Sequence, residues 1–211
     1  NESVKTVTNF EIPDTICVTP WINLEIRQQG NLSPCCRYRL DNYKNVKDVS
    51  VKDIDFSDIR QDFLDGKKPI GCSKCWNDEK NNALSKRLID TYVYRDEIFD
   101  IDYNDTKTSK LISLDIKINK TCNLSCRICN PLYSSKWASE VSNNKKSYPQ
   151  FASIPIVKNE WTEINGSKVW KDLEEITSDL AYITFSGGEP LLDKTHSGML
   201  QYFINKQRSS Y

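Results

Sequence analysis

LISLDIKINKTCNLSCRIC, residues 111–129, is the stretch of this 211-residue chain that decides its fold. In its first half, aliphatic side chains alternate with polar ones, which predicts a strand with one buried face. Three cysteines follow at once, so the strand is expected to end in a loop rich in thiols. The aliphatic positions are Ile112, Leu114, Ile116 and Ile118.

Helical patterns and a second strand follow this loop. Helices are predicted around residues 132–141, 167–176 and 193–207, and a strand is predicted at 181–185. Alternating strands and helices are typical of an α/β fold with a parallel sheet covered by helices. Two strands do not complete such a sheet and the chain lacks an initiator methionine. We therefore expect a fragment of a longer protein that is not a competent enzyme alone.

The preceding part of the chain predicts a small α+β unit. Residues 21–27 alternate apolar and polar side chains, which predicts a strand with one buried and one solvated face. Gly30 lies in the turn that follows, and residues 32–36 are expected to return as a hairpin partner. The side chains expected to face solvent are Asn23, Glu25 and Arg27.

Two helices and a linker complete the predicted N-terminal organisation. Cap signals predict one helix within residues 57–66, and apolar spacing predicts another over 75–89. Residues 91–110 are rich in Asp, Asn and Thr, which favours a linker. The chain is therefore divided into a cysteine-rich module at 1–90, the linker, and an α/β part at 111–211. The inward side chains predicted for the second helix are Ala83, Leu84 and Leu88.

Charge balance and hydropathy exclude several classes of protein. The 29 basic and 29 acidic side chains cancel, so we expect no nucleic-acid partner and no anionic membrane partner. No apolar run approaches the roughly 18 residues that a membrane helix needs. The amino terminus has neither the basic start nor the apolar run of a secretory signal, so we expect a cytoplasmic protein.

Thiols are the strongest chemical signal in the sequence. There are eight cysteines, whereas the single histidine, His196, is expected to be a solvated or capping residue. Cys122, Cys126 and Cys129 form a Cys-x3-Cys-x2-Cys loop directly after the strand. Their odd number and close spacing disfavour disulfides, and three soft thiolates favour an iron–sulfur cluster. A four-iron cubane held by three cysteines leaves one iron open to another ligand.

This loop and a second motif together resemble a known family. The sequence Gly187-Gly-Glu-Pro190 follows the second strand, and this pair of motifs is similar to that of the radical S-adenosylmethionine (SAM) enzymes. The resemblance implies an incomplete (β/α) partial barrel of the TIM type, a 4Fe-4S cluster and SAM as cofactors. It also implies reductive cleavage of SAM to a 5′-deoxyadenosyl radical, which takes a hydrogen atom from the substrate. We expect a peptide or protein substrate, and an electron donor such as flavodoxin or ferredoxin.

The same resemblance implies roles for individual residues. The expected ligands of the SAM cluster are Cys122, Cys126 and Cys129. The expected SAM-binding residues are Gly187, Gly188, Glu189, Pro190 and Ile128. The two glycines allow the backbone to approach a ligand closely because they lack a Cβ. Ile128 stands where the family often has an aromatic residue near the adenine, so an aliphatic contact is expected there.

The N-terminal cysteines resemble a second module of these enzymes, the SPASM or shorter twitch domain. The resemblance implies an auxiliary 4Fe-4S cluster, although the family usually carries this module after the radical domain. Adjacent residues on extended backbone point to opposite faces, so only one of Cys35 and Cys36 is expected to be a ligand, and Cys35 has the spacing of the module. Zinc is the alternative metal, because four thiolates with a Cys-x2-Cys pair also form zinc sites. The expected ligands are Cys17, Cys35, Cys72 and Cys75.

Two other functions stay open on the sequence. One is the same SAM chemistry on a small molecule, and the other is a non-catalytic zinc-binding or electron-transfer protein. Asp115 and Lys117 lie on the polar side of the first quoted strand. They face a barrel interior, where polar side chains meet substrate and cofactor, or they lie on a solvated strand face or form a local ion pair.

Overall fold

The computed structural model describes residues 14–40, 44–98, 101–107, 109–151, 153–154 and 161–205. These residues form α-helices and strands in mixed order along the chain. The helices are α1 (Thr19–Ile22), α2 (Ser57–Leu64), α3 (Ser73–Lys80), α4 (Lys86–Val93), α5 (Ser135–Asn143), α6 (Trp161–Ile176) and α7 (Lys194–Asn205). The strands are β1 (Asn23–Ile26), β2 (Asn31–Ser33), β3 (Lys44–Asn45), β4 (Ser113–Lys117) and β5 (Tyr182–Ser186).

The five strands belong to one sheet, in the order β3-β2-β1-β4-β5. β1 and β2 form the predicted antiparallel hairpin, and β3 extends it. β1 also pairs parallel with β4, with Leu24 opposite Leu114, and β4 pairs parallel with β5, with Leu114 opposite Ile183. One sheet therefore includes strands from both sides of the predicted linker, and the position of a domain boundary stays a prediction.

The aliphatic side of β4 and its flanking residues forms the centre of the core. Ile112, Leu114, Ile116 and Ile118 are each at most 1% exposed, as their alternation predicted. Trp161 at the start of α6 is also buried, and its indole N–H donates to the carbonyl of Lys117 at 2.8 Å. Removing this apolar surface from water is the main favourable contribution to folding.

The strand predicted at residues 21–27 is shorter, Asn23–Ile26, because Trp21 and Ile22 belong to α1. The expectation that Glu25 faces solvent is wrong. Glu25 is 1% exposed instead of solvated. Arg27 and Lys117 pair with its carboxylate, and the Ser33 hydroxyl donates to it at 2.6 Å. Because the neighbouring strand supplies a cation, a carboxylate can lie inside the sheet face without remaining unpaired.

The single helix predicted over residues 75–89 is two helices. α3 ends before Asn82, which has a left-handed φ of 56°. α4 begins after Ser85, whose hydroxyl accepts a hydrogen bond from the amide three residues later at 3.2 Å. Ala83 and Leu84 are consequently exposed instead of inward-facing. The break and the new N-cap override the apolar spacing.

The described residues of the predicted linker, 91–110, pack against the N-terminal part of the chain. Arg60 is 1% exposed and donates to the carbonyls of Pro20 and Thr106, at 2.9 and 2.6 Å. Tyr103 packs edge-on against Trp21, with ring centroids 5.3 Å apart. Although this segment is polar in composition, its described residues therefore make several contacts with the core.

Three other predictions from the sequence concern His196, the closure of the sheet and membrane-spanning helices. His196 is 7% exposed and lies edge-on to Phe185 at 4.6 Å between ring centroids, so the prediction of a solvated or capping histidine is wrong. The described strands form an open sheet in a mixed α/β arrangement, and closure into a partial barrel stays a prediction. Among the described helices, none combines the length and the apolar character needed to cross a membrane.

Candidate functional site

Four cysteines from three separate segments of the chain line one cavity, which we call the four-cysteine site. Its cysteines are Cys17, Cys35, Cys72 and Cys75. Cys17 lies before α1, Cys35 follows β2, and the other two flank the start of α3. Three of these side chains are only 7–8% exposed. The hairpin and the two helices thus bring the predicted auxiliary ligands to a common buried space.

Burial controls the acidity of these thiols. It raises the pKa of Cys17 to about 11, against the opposing effect of a hydrogen bond with Thr19. It also raises the pKa of Cys35 and of Cys72, and neighbouring thiols raise both further. Thiols in such a site stay protonated until a cation replaces the protons, so metal binding there would release protons.

Charged side chains surround the four-cysteine site. Lys86, Arg87 and Asp90 line the same cavity. The Lys86 ammonium lies 2.9 Å from one oxygen of Asp90, and Arg87 pairs with Glu79 at 2.5 Å. Asp90 is 4% exposed, and its other oxygen has no hydrogen-bond partner among the described residues. The two cations would offset part of the negative charge that four thiolates bring.

The donor set of this site fits either metal predicted from the sequence. Four thiolates hold a zinc ion or a 4Fe-4S cluster. In the part of the chain that the structure describes, no three or more His, Cys, Asp or Glu side chains are arranged as ligands of a metal ion. The fold therefore gathers the thiols around a cavity without setting a ligand geometry, and the metal stays a prediction.

The second cysteine group, residues 122–129, forms what we call the three-cysteine loop. The N–H of Cys129 donates to the carbonyl of Cys126 at 3.0 Å, which makes a turn. The Ser135 hydroxyl accepts from the N–H of Cys122 at 3.0 Å and donates to its carbonyl at 3.1 Å. The Trp137 indole N–H donates to the carbonyl of Cys126 at 2.9 Å. The first turn of α5 therefore fixes the backbone of the loop. The thiols of Cys122 and Cys129 make only local hydrogen bonds, with Leu124 and Asn130.

Much of the three-cysteine loop is open to solvent, although Cys122 and Cys129 are half-buried. Cys126 is exposed, and Leu124 is 50% exposed. Ile128, the residue predicted to contact adenine, is 100% exposed. A loop with a fixed backbone and open side chains is accessible to a large ligand.

The Gly187–Pro190 motif forms a turn directly after β5, which we call the glycine turn. Gly187 has a φ of 107°, and an added Cβ would lie 2.4 Å from the carbonyl oxygen of Asn119. A Cβ on Gly188 would lie 2.2 Å from the carbonyl oxygen of Thr121. The N–H groups of Gly188 and Glu189 donate to the same two carbonyls, at 2.8 and 2.7 Å. Only glycine fits both positions, because backbone occupies the space of a side chain.

These bonds join the two predicted motifs. Asn119 and Thr121 lie between β4 and Cys122, so the glycine turn is bonded to the base of the three-cysteine loop. β4 and β5 are parallel neighbours, and ligands of α/β sheets bind outside the carboxyl ends of such strands. The structure thus places both motifs at one end of the sheet.

A separate cavity of about 210 Å³, which we call the polar pocket, is lined in part by residues that lie close in sequence to each cysteine group. Cys36 lines it, next in sequence to the four-cysteine site, and so does Tyr133, shortly after the three-cysteine loop. Burial would raise the pKa of Glu25, but Lys117 holds it below its ordinary value. Burial also raises the pKa of Asp115, which lies opposite Glu25 on the neighbouring strand β4. The charged and amide side chains of the pocket are Glu25, Arg27, Gln28, Gln29, Asn31, Arg39 and Lys117.

Two of these features were missed by sequence reasoning. The Lys86–Asp90 pair had a signal, since residues four apart on a helix face one another. It was missed because the helix was predicted over residues 75–89, which ends before Asp90. The Glu25–Lys117 pair had none, because its partners are 92 residues apart and meet only through the pairing of β1 with β4.

Comparison with protein-family models, with curated proteins and with solved structures found no match to this chain.

Proposed function

We propose that this chain is part of a radical SAM enzyme with an auxiliary cluster. The observation that carries the proposal is the bonding of the glycine turn to the base of the three-cysteine loop, through Asn119 and Thr121. It places three thiols and a close-packed glycine backbone at the carboxyl ends of two parallel strands. A cluster with one open iron and an adjoining place for SAM need these two elements side by side.

The residues of the chain have separate tasks in this proposal. Cys122, Cys126 and Cys129 would hold the cluster, and α5 fixes their backbone through Ser135 and Trp137. The glycine turn, which includes Pro190, would bind SAM, and Ile128 would contact the adenine. When bound, the cluster supplies the electron that cleaves SAM and so starts radical chemistry.

The substrate is proposed to lie near the polar pocket. The pocket reaches the segment after the three-cysteine loop through Leu132 and Tyr133. Its amide and charged side chains suit a peptide or protein, which presents polar groups along its length, and a small molecule is the alternative. Radical chemistry requires the substrate hydrogen to be held close to the radical carbon. A flavodoxin or ferredoxin is the proposed electron donor.

The four-cysteine site is proposed to hold an auxiliary 4Fe-4S cluster, with zinc as the alternative. That site alone would also serve a non-catalytic zinc-binding or electron-transfer protein. We place the protein in the cytoplasm, because its eight cysteines are free thiols in the structure and thiols stay reduced in that compartment.

Anaerobic reconstitution tests the proposal. The chain should become brown and bind about eight irons if both sites hold cubanes, and the electron paramagnetic resonance (EPR) spectrum of the reduced protein should change when SAM is added. Cys36→Ala is the matched control for iron content, because Cys36 lies outside both ligand sets. A colourless chain with stoichiometric zinc and no response to SAM would leave only the non-catalytic alternative.

A further inference from the structure

The indole N–H of Trp76 is a buried donor for which the described residues supply no acceptor. Its Nε1 atom is shielded from solvent and has no hydrogen-bond partner among the described residues. The side chain lines the four-cysteine site and directly follows Cys75 on α3. Buried donors in native proteins are nearly always paired, so an unpaired one indicates a missing partner.

Neighbouring side chains hold the Trp76 ring in place. The Arg87 guanidinium lies 4.8 Å from the ring centroid, and the Lys68 ammonium lies 5.2 Å from it. Phe63 packs edge-on against it at 6.4 Å. Cations over an aromatic face are attracted to its electrons, so the position of the N–H is set by three contacts that do not involve the cysteines.

The acceptors that line the cavity besides backbone are few. Asp90 has one oxygen paired with Lys86 and one unpaired oxygen, which receives no bond from Trp76 in this structure. The other side-chain acceptors are the hydroxyls of Thr19 and Tyr38 and the sulfurs of the four cysteines. The Thr19 hydroxyl already pairs with the Cys17 thiol at 3.2 Å. Thiolates and cluster sulfides accept hydrogen bonds, and such bonds are one of the means by which proteins set cluster potentials.

We propose that Trp76 donates an N–H···S hydrogen bond to the centre held at the four-cysteine site and raises its reduction potential. This proposal rests on the proposed function, in that the site must hold an iron–sulfur cluster. The bond stabilises the reduced state more, because reduction adds negative charge to the sulfur that accepts it. Trp76 thus changes the reduction potential through a hydrogen bond and is not itself a ligand of the centre.

Trp76→Phe is the direct test, since phenylalanine keeps an aromatic ring for both cations and removes the N–H together with one ring of the indole. The measurement is an EPR-monitored redox titration in a Cys126→Ala background, where only the four-cysteine site should titrate. We expect unchanged iron content and a reduction equilibrium constant about tenfold lower, which for one electron is about 59 mV more negative. Trp170→Phe is the matched control, because Trp170 packs on Tyr202, and it should leave the potential unchanged.

The proposal would be overturned if the reduction equilibrium constant of Trp76→Phe stayed within twofold of that of the chain with Trp76. If the variant loses iron, electron–nuclear double resonance of the chain with Trp76 intact decides. An exchangeable proton coupled to the cluster, lost in D₂O, supports the bond, and its absence overturns it. A chain with intact Trp76 whose four-cysteine site takes zinc and no iron overturns the cluster assignment itself, and is recognised from metal content before any titration.

Discussion

The four-cysteine site and the three-cysteine loop present the same donor atom in opposite surroundings. Cys17 and Cys35 are each 8% exposed and lie in the main core. Cys126 is exposed, and its neighbour Ile128 is 100% exposed. The first site is assembled from three separate segments, whereas the second is one loop whose backbone is fixed by α5 and the glycine turn.

This difference suggests different tasks for the two thiol groups. A closed site with four donors saturates its metal centre, as structural and electron-transfer sites do. An open site with three donors leaves room for a further ligand. Changes in the two regions should therefore have separable effects.

Removing one cysteine from each region should have the largest effect. Cys126→Ala should remove the iron of the loop and abolish SAM cleavage, while the four-cysteine site stays loaded. Cys72→Ala should do the reverse, because each cluster depends on its own ligands. Iron analysis and EPR of both variants measure this. Loss of all iron in both variants would show that the two sites are not independent.

Glu25→Gln should strongly destabilise the sheet that links the two regions. The change leaves Lys117 and Arg27 without their shared carboxylate, and breaking a buried ion pair costs about 3–5 kcal/mol. Urea unfolding at neutral pH measures the loss. Glu175→Gln is the matched control, because Glu175 pairs with Lys52 at the surface and such pairs contribute about 0–1 kcal/mol. Equal losses in the two variants would contradict the buried role of Glu25.

The destabilisation by Glu25→Gln should depend on pH. Lys117 holds the pKa of Glu25 below its ordinary value despite burial. A depressed pKa contributes stability that is fully present above the unfolded pKa of about 4.3, and that is lost as pH falls through the folded pKa. The difference between the chain with Glu25 and the variant should therefore shrink below about pH 4. A difference that grows on acidification would reverse the sign and refute the pairing.

Gly188→Ala should disturb the open region alone. Its Cβ would lie 2.2 Å from the carbonyl oxygen of Thr121, and such overpacking typically costs about 1–3 kcal/mol. The SAM response of the EPR spectrum should weaken, while iron at the four-cysteine site stays unchanged. Gly198→Ala in α7 meets no atom within 4 Å and should stabilise by about 0.4–1 kcal/mol. A neutral Gly188→Ala would show that the close backbone approach is not required.

Ile128→Ala should have the smallest effect on folding. The side chain is fully exposed, so the free energy of unfolding should change by less than about 0.5 kcal/mol. If Ile128 packs on adenine, SAM affinity should fall several-fold, because each lost CH₂ contact is worth about 0.8 kcal/mol. Equilibrium titration with SAM measures this. Leu84→Ala, at an exposed position between α3 and α4, should leave the affinity unchanged.

The sequence predicted best those elements whose signals are local. The alternation in β4 located a strand whose aliphatic side is fully buried, and Gly30 takes the expected positive φ of 83°. The glycine turn and the three-cysteine loop were both placed after strands. These features depend on periodicity or on a backbone conformation that few residues adopt.

What the sequence did not predict depends on contacts between distant segments. Glu25 was expected in solvent because its polar character fits an exposed strand face, and only the pairing with Lys117 allows its burial. The break between α3 and α4 was missed because Asn82 and Ser85 override an apolar pattern. The parallel pairing of β1 with β4 could not be inferred from either strand alone, since no local signal specifies a partner.

EPR of the reduced, reconstituted chain with and without SAM tests the central claim most directly. The account predicts two iron–sulfur signals, of which one shifts on addition of SAM. That signal should be absent in Cys126→Ala and retained in Cys72→Ala. A spectrum that SAM leaves unchanged, from a chain with iron bound at the three-cysteine loop, would contradict the account.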